Sequence, residues 1–309
     1  MPLIVRVILV LAIVAVAGFI LSYVVVNLIM YNKFFKRQSA EAMRKGALTD
    51  AYYDKYRDEI ITAAKRMEEL PFKRVSCLSV DGLTLSARYY YNTGKKIVVF
   101  CHGVHALPWN NFGVIGDDFW NAGYDILLID ERAHWQSEGK FITYGSYEGD
   151  DILCWVKYLK QFEVGRIVLY GISMGATSIA LISDKIEDER VKAMVLDCGF
   201  TSLFDLERHI TDRNHIPFWL TSGAFSMGTF FGKLRPKEKT QNHLSKTHIP
   251  ALFLHGSADF VVPKKHSIFN YEACISSKEL IIVENAGHTV ATVCGGEEVR
   301  KKILKFIGE

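Results

Sequence analysis

A serine stands between two glycines in Gly171-Ile172-Ser173-Met174-Gly175, directly after the apolar run RIVLY at 166–170. A strand that turns sharply into a helix needs small neighbours on both sides of the turn residue, or the turn collides with the adjacent strand and helix. The hydroxyl then projects at a helix N-terminus, where free N–H groups and the helix dipole favour negative charge. That is a setting for nucleophilic attack on a carbonyl. The stretch that follows, ATSIALISDKI at 176–186, has helical spacing. A second Ser-Met-Gly at 226–228 fails the same test: Ala224 stands where the first glycine is required, and no strand precedes it.

A nucleophilic serine needs a base, and the base needs a group to orient it. Of the ten histidines, His288 follows the run ELIIVE and is preceded by Gly287, which places it on a loop at a strand's carboxyl end. His102 also follows a strand, but it precedes the serine. Two carboxylates qualify as the orienting acid. Asp259 lies in HGSADFVVP after ALFLHG, and Asp197 ends KAMVLDC. Asp259 is the reading preferred here, with Asp197 as a strand-end structural residue and the alternative acid. His102 and His105 have H-x-x-H spacing, but such metal-binding pairs lie on a helix with a third ligand, and His102 ends a strand. No metal and no organic cofactor is expected.

These residues need a scaffold, and 309 residues are enough for one large domain or two small ones. Lys and Arg number 37 against 34 Asp and Glu, so no domain-wide basic excess points to nucleic acid. Six cysteines without C-x-x-C pairs read as buried free thiols rather than a disulfide or zinc framework. From residue 72 the pattern is one of strands. FKRVSCLSV and LTLSARYYY flank Asp81-Gly82, a two-residue hairpin signal. Then KIVVFC, YDILLID, RIVLY, KAMVLDC, ALFLHG and ELIIVE alternate with helical stretches. Apolar strands buried on both faces and joined by helices predict an α/β domain over 72–309, with a mostly parallel eight-stranded sheet and helices on both faces. One gap, 200–249, is too long for a structureless loop. It reads as an inserted helical cap whose Trp219, Phe225 and Phe230 are candidates to line a substrate pocket.

The N-terminus adds a second element. After a flank at 1–6, residues 7–26 carry no charge over a length that matches a ~30 Å hydrocarbon core. A signal peptide's apolar stretch is shorter, about 7–15 residues. The expectation is a retained single-pass anchor at 7–30. Lys33, Lys36, Arg37, Arg44 and Lys45 follow it, which favours a cytoplasmic position for the domain. Residues 31–71 read as a basic flank and a helical stalk. Its face of Tyr52, Tyr53, Tyr56, Ile60, Ala64 and Met67 packs on the domain, Pro71 ends it, and a helix lying on the lipid surface is the alternative.

Taken in order, His102-Gly103, GISMG, HGSAD and AGH resemble the α/β-hydrolase superfamily over about three-quarters of the chain, where nucleophile, acid and base come as Ser173, Asp259 and His288. DERAHWQSEGKFITYG resembles that superfamily's D-x-R-G-x-G-x-S segment. The branch it is most similar to holds serine aminopeptidase-like and prolyl-oligopeptidase-like hydrolases, with acyl and cinnamoyl esterases among them. The resemblance implies an oxyanion hole made by the backbone N–H groups of Met174 and Val104. Together with the apolar N-terminal segment, it implies a membrane-anchored serine hydrolase acting on a small ester or acyl substrate through an acyl-enzyme. A serine peptidase, an acyltransferase and a non-catalytic membrane scaffold are the alternatives. Ala133 and Trp135 stand where relatives have glycine, and HGVHA lacks a later glycine; both departures would add bulk near the pocket. Asp130, Arg132 and Glu138 read as structural.

Overall fold

A computed structural model describes residues 2–46, 48 and 51–309. Ala47, Thr49 and Asp50 of the expected stalk, and the side chain of Lys45 in the basic flank, lie outside the described residues. The strands are β1 (Lys73–Leu78), β2 (Thr84–Tyr90), β3 (Lys96–Cys101), β4 (Asp125–Asp130), β5 (Arg166–Ile172), β6 (Val191–Asp197), β7 (Ala251–Gly256) and β8 (Lys278–Val283). They form one sheet in the order β1-β2-β4-β3-β5-β6-β7-β8. β1 pairs antiparallel with β2 and β2 with β4, and every other pairing is parallel.

Twelve α-helices accompany them among the described residues: α1 (Leu3–Phe34), α2 (Ala40–Gly46), α3 (Arg57–Glu69), α4 (Pro108–Asn121), α5 (Glu148–Tyr158), α6 (Met174–Ala180), α7 (Leu203–Arg213), α8 (Ser222–Gly232), α9 (Gln241–Leu244), α10 (Lys265–Ala273), α11 (Ala291–Cys294) and α12 (Gly296–Phe306). Alternation along the strands divides the core into two layers. In β3, Val98 and Phe100 face a cluster with Ile60, Met67, Phe112 and Ile303. Ile97, Val99 and Cys101 face the other, with Trp155, Ile179 and Leu244. The middle strands are buried on both faces, which is why they read as unbroken apolar runs.

Two local expectations change. β1 and β2 are joined by five residues, 79–83, rather than by a two-residue turn. Asp81-Gly82 does lie in the turn: Gly82 has φ 84°, its amide donates to Ser79 O at 3.1 Å, and the Ser79 amide closes the hairpin on Leu83 O at 2.9 Å, while the Arg132 guanidinium donates to both Asp81 oxygens at 3.1 Å. The stalk is not one helix. It comprises α2, a 3-10 turn at Ala51–Tyr53, and α3, which stops at Glu69 because Leu70, preceding Pro71, takes the extended conformation (φ −57°, ψ 139°). Ile60, Ala64 and Met67 of α3 are buried against α4. A Cβ on Gly113 would sit 2.7 Å from Ala63 backbone, so glycine permits this close helix contact.

α1 is long and apolar enough to cross a membrane by length and composition. The chain leaving it is sewn to the domain. Ile142 donates to Phe35 O at 2.8 Å, Arg37 N–H donates to Lys140 O at 3.0 Å, and Tyr144 Oη donates to Phe34 O at 2.9 Å. Within 200–249, Leu203 and Leu206 of α7 and Ala224 of α8 are buried in a third apolar cluster with Ile142 and Met174, while Leu244 of α9 is fully buried in the second core layer.

Candidate active site

Ser173 sits between the end of β5 and the start of α6, with φ 55° and ψ −113°. That left-handed backbone is strained for a residue with a side chain, and such strain clusters at functional sites. The two glycines are required by the same turn. A Cβ on Gly171 would lie 2.4 Å from the Ala176 nitrogen, and one on Gly175 would lie 2.0 Å from the Cys101 oxygen in β3. Neither position has room for a side chain.

His288 Nε2 lies 3.0 Å from Ser173 Oγ, and its Nδ1 lies 2.7 Å from Asp259 Oδ2. A carboxylate only accepts, so Nδ1 carries the proton and Nε2 is free to accept from the serine hydroxyl. Asp259 is itself held rigidly. Its Oδ1 accepts from the amides of Val261 (2.9 Å) and Val262 (2.8 Å), and His255 Nε2 lies 3.3 Å from Oδ2. Burial alone would raise the Asp259 pKa, but the His288 imidazole and hydrogen bonds from His255 and His288 outweigh it and hold the carboxyl well below its usual range. His255 donates from Nε2 to Val262 O at 2.7 Å and accepts at Nδ1 from Ser267 Oγ at 2.6 Å.

Asp197 plays no part in this chain of bonds. It is fully buried, neither of its oxygens has a hydrogen-bond partner, and burial pushes its pKa up to about 7. Cys198, Asp259 and His288 bring ligand-type atoms within 4.8 Å of one another, but His288 is already bonded at one nitrogen to Asp259 and at the other to Ser173. His102 donates from Nδ1 to Gly103 O at 2.7 Å and accepts at Nε2 from the Glu131 amide at 3.1 Å, so both nitrogens serve the backbone.

The expected oxyanion donors lie on either side of the serine. The first amides of a helix have no intrahelical partner, and Met174 opens α6. In the loop after β3, the Gly103 amide donates to Asn111 Oδ1 at 3.1 Å, that of His105 to His134 Nε2 at 3.0 Å, and that of Ala106 to Gly103 O at 3.2 Å. Among the described residues, none accepts from the amides of Val104 or Met174. A Cβ on Gly103 would be 3.4 Å from Ser173 Cβ, which puts this loop directly beside the nucleophile.

The pocket candidates separate. Phe225 lines a cavity of about 120 Å³ with Met30, Phe34 and Phe35 from the α1 end and Leu206 from the cap. Met174 and Val104 belong to the same apolar cluster. Trp219 instead stacks on α1, with ring centroids 6.3 Å from Tyr23 and 5.9 Å from Phe19, and Phe230 is 77 % exposed. Neither lines this cavity: Trp219 is held against α1, and Phe230 meets Phe231 edge-on with ring centroids 5.0 Å apart. The departures at Ala133 and Trp135 are also resolved. Both have positive φ, 59° and 40°, which is the reason glycine suits these positions. Ala133 is buried, and Trp135 packs edge-on against Trp109, so its bulk goes to the α4 side.

Sequence reasoning did not find the residues that brace the base. A Cβ on Gly287 would lie 2.8 Å from the Tyr52 ring, and Tyr53 Oη lies 2.8 Å from Thr289 Oγ1. The aromatic face of the stalk was legible, but its target, the loop bearing His288, lies over 230 residues along the chain.

Residues 96–211 match a family model described as the alpha/beta hydrolase fold. A protein of Bacillus subtilis (strain 168), YqkD, is 27 % identical over 89 % of this chain and 88 % of its own length. A membrane protein of Saccharomyces cerevisiae, YNL320W, is 24 % identical over 69 % of this chain and 71 % of its own. Among solved structures, the Pyrococcus furiosus esterase Pf2001 superposes with a TM-score of 0.65 at 25 % identity, covering 78 % of this chain and 92 % of the esterase. With its eight-stranded sheet, its serine at the β5–α6 turn and these similarities, the chain has the α/β-hydrolase fold.

Proposed function

We propose that this chain is a membrane-anchored serine hydrolase that cleaves a carboxylic ester, with Ser173 as nucleophile, His288 as base and Asp259 as orienting acid. The observation that carries the reading is the continuous chain of contacts, 3.0 Å and 2.7 Å, from a serine in strained left-handed geometry to a buried carboxylate. His288 Nε2 takes the hydroxyl proton as Oγ attacks the ester carbonyl. The negative charge on the carbonyl oxygen is met by the amides of Met174 and Val104. The proton passes to the leaving alcohol as the C–O bond breaks, leaving an acyl-enzyme. Water, deprotonated by the same histidine, attacks that acyl group and restores Ser173.

An apolar acyl group suits the cavity beside the cap, where Phe225 and Leu206 meet Met30 and Phe35. A free peptide amine suits it less. Asp205 is bonded to Thr201 Oγ1 at 2.8 Å, and Glu207 Oε1 accepts from Thr221 Oγ1 at 2.7 Å while burial pushes its carboxyl up to about 7. Neither is a free charge waiting for an ammonium group. The anchor is α1, and the basic residues after it favour a cytoplasmic domain.

The test is turnover by the full-length protein in detergent against p-nitrophenyl esters of graded acyl length and a set of aminoacyl amides. Esters are expected to be cleaved, with loss in Ser173→Ala and a shifted acyl-length preference in Phe225→Ala. Turnover of amides alone, or an active Ser173→Ala protein, would overturn the proposal.

A further inference from the structure

Helix α1 carries an uncharged stretch at residues 7–32. A hydrocarbon core about 30 Å thick is crossed by about 20 helical residues. Every 20-residue window within 7–32 contains both Phe19 and Tyr23. These are the residues that the Trp219 ring of the cap meets, stacked on Tyr23 and tilted against Phe19. If α1 is an anchor, Trp219 therefore touches it inside the hydrocarbon layer, wherever the register falls.

The contact is built, not incidental. Tyr23, Asn27, Met30 and Tyr31 form one stripe of α1 at helical spacing, and it meets α8 and the 3-10 turn before it. Asn27 is 2 % exposed although it lies in an apolar helix. Its Nδ2 donates to Leu220 O and to Tyr23 O, both at 2.9 Å, and its Oδ1 accepts the Ala224 amide at 2.7 Å. In lipid, an open helix end and a lone side-chain amide are both costly; here each satisfies the other. Tyr23 Oη lies 3.3 Å from Ser222 Oγ. Glycine 223 permits the approach, since a Cβ there would meet the Asn27 side chain at 2.8 Å.

The other faces of α1 at this level remain apolar and open. Val24, Val25, Val26, Leu28 and Ile29 are 44–61 % exposed. The cap continues that surface with Ile216, Trp219, Phe230 and Phe231, exposed by 38 %, 51 %, 77 % and 54 %. Residues 216–232 contain no charged side chain and are bracketed by Arg213 and Lys233. Aromatic residues with flanking cations are what a membrane interface selects. The segment is too short to span, and it is broken at Thr221 between the 3-10 turn and α8.

We propose that residues 216–232 are a second membrane-contacting element: the cap dips into the lipid beside α1, with Trp219, Phe230 and Phe231 against acyl chains. This rests on the reading of α1 as an anchor, and the test separates the two. Full-length protein with single added cysteines at Phe230→Cys, Ile216→Cys, Val14→Cys or Lys301→Cys is labelled with an environment-sensitive fluorophore in phosphatidylcholine vesicles. The labelled parent protein is the blank for its native thiols. Lipids spin-labelled in the acyl chain and aqueous iodide then compete as quenchers. Positions 14, 216 and 230 are expected to lose most of their emission to the lipid quencher, and 301 to iodide. Lipid quenching at 14 with iodide quenching at 216 and 230 would overturn the proposal while the anchor stood. Iodide quenching at 14 would overturn the anchor and the proposal together. Protection of 216 and 230 from both quenchers would mean that a second copy of the chain covers this face, and would also overturn it.

Discussion

Asn in place of Asp259 isolates the task of the orienting acid, because the geometry fixes how the amide must sit. Two backbone amides, Val261 and Val262, donate to Oδ1 at 2.9 and 2.8 Å. They require an oxygen there, so the new NH₂ group takes the Oδ2 position, 2.7 Å from His288 Nδ1. A donor now faces Nδ1. The imidazole answers by moving its proton to Nε2, and Nε2 can no longer accept from Ser173. The same tautomer error in a serine protease costs about 10⁴-fold in turnover, which is about 5.4 kcal/mol on the barrier at about 1.36 kcal/mol per decade. Asp197→Asn, by contrast, changes a buried carboxyl that has no hydrogen-bond partner. The assay is kcat for a short ester, with circular dichroism to establish that both variants are folded. Asp259→Asn should fall by about four decades with little change in KM, and Asp197→Asn by far less. Equal losses, or a larger loss at Asp197, would refute the assignment of the acid.

Three further outcomes are expected. Gly175→Ala places a Cβ 2.0 Å from a β3 carbonyl oxygen, and should destabilise the fold by about 3 kcal/mol, the upper end for overpacking, in denaturant unfolding; an unchanged midpoint would show that the turn can relax. Burial lowers the His102 pKa from 6.5 to about 4. The unfolded chain therefore binds the extra proton first, and this contribution, present above pH 6.5, is lost as pH falls toward 4. It amounts to about 3 kcal/mol, so urea unfolding of His102→Gln at pH 7 and pH 4 should differ by about that much less than in the parent. Finally, protease added to intact cells should spare the domain while a cytosolic control is spared; selective digestion would reverse the orientation, and a soluble form starting near Gly18 would replace the anchor with a signal peptide.

The parallel sheet was legible because its middle strands are buried on both faces and so leave unbroken apolar runs. Ser173, Asp259 and His288 were legible because each follows such a run, at the carboxyl end where loops converge. What the chain's order could not carry is which distant surfaces meet. Trp219 and Phe230 mark an aromatic cap, yet nothing local says that the cap packs on α1 instead of closing over the serine. Asn27 looks like a minor blemish in an apolar helix until Leu220 and Ala224 arrive to bond it. The β1–β2 hairpin was legible in its Asp-Gly, with Gly82 at positive φ, but not its five-residue length, which the Ser79–Leu83 bonds set. Ala133 and Trp135 hide their left-handed backbone behind side chains that ordinarily avoid it.

Fluorophosphonate labelling of the full-length protein, read by peptide mass spectrometry, addresses the nucleophile itself. Ser226 is the internal control: it lies exposed on α8, and its hydroxyl donates to Ser222 O at 2.8 Å with no histidine bonded to it. The adduct is expected on the peptide bearing Ser173, absent from Ser173→Ala and retained in Ser226→Ala. An adduct on Ser226, or labelling that survives in Ser173→Ala, would contradict the assignment of Ser173 as the group that attacks the substrate.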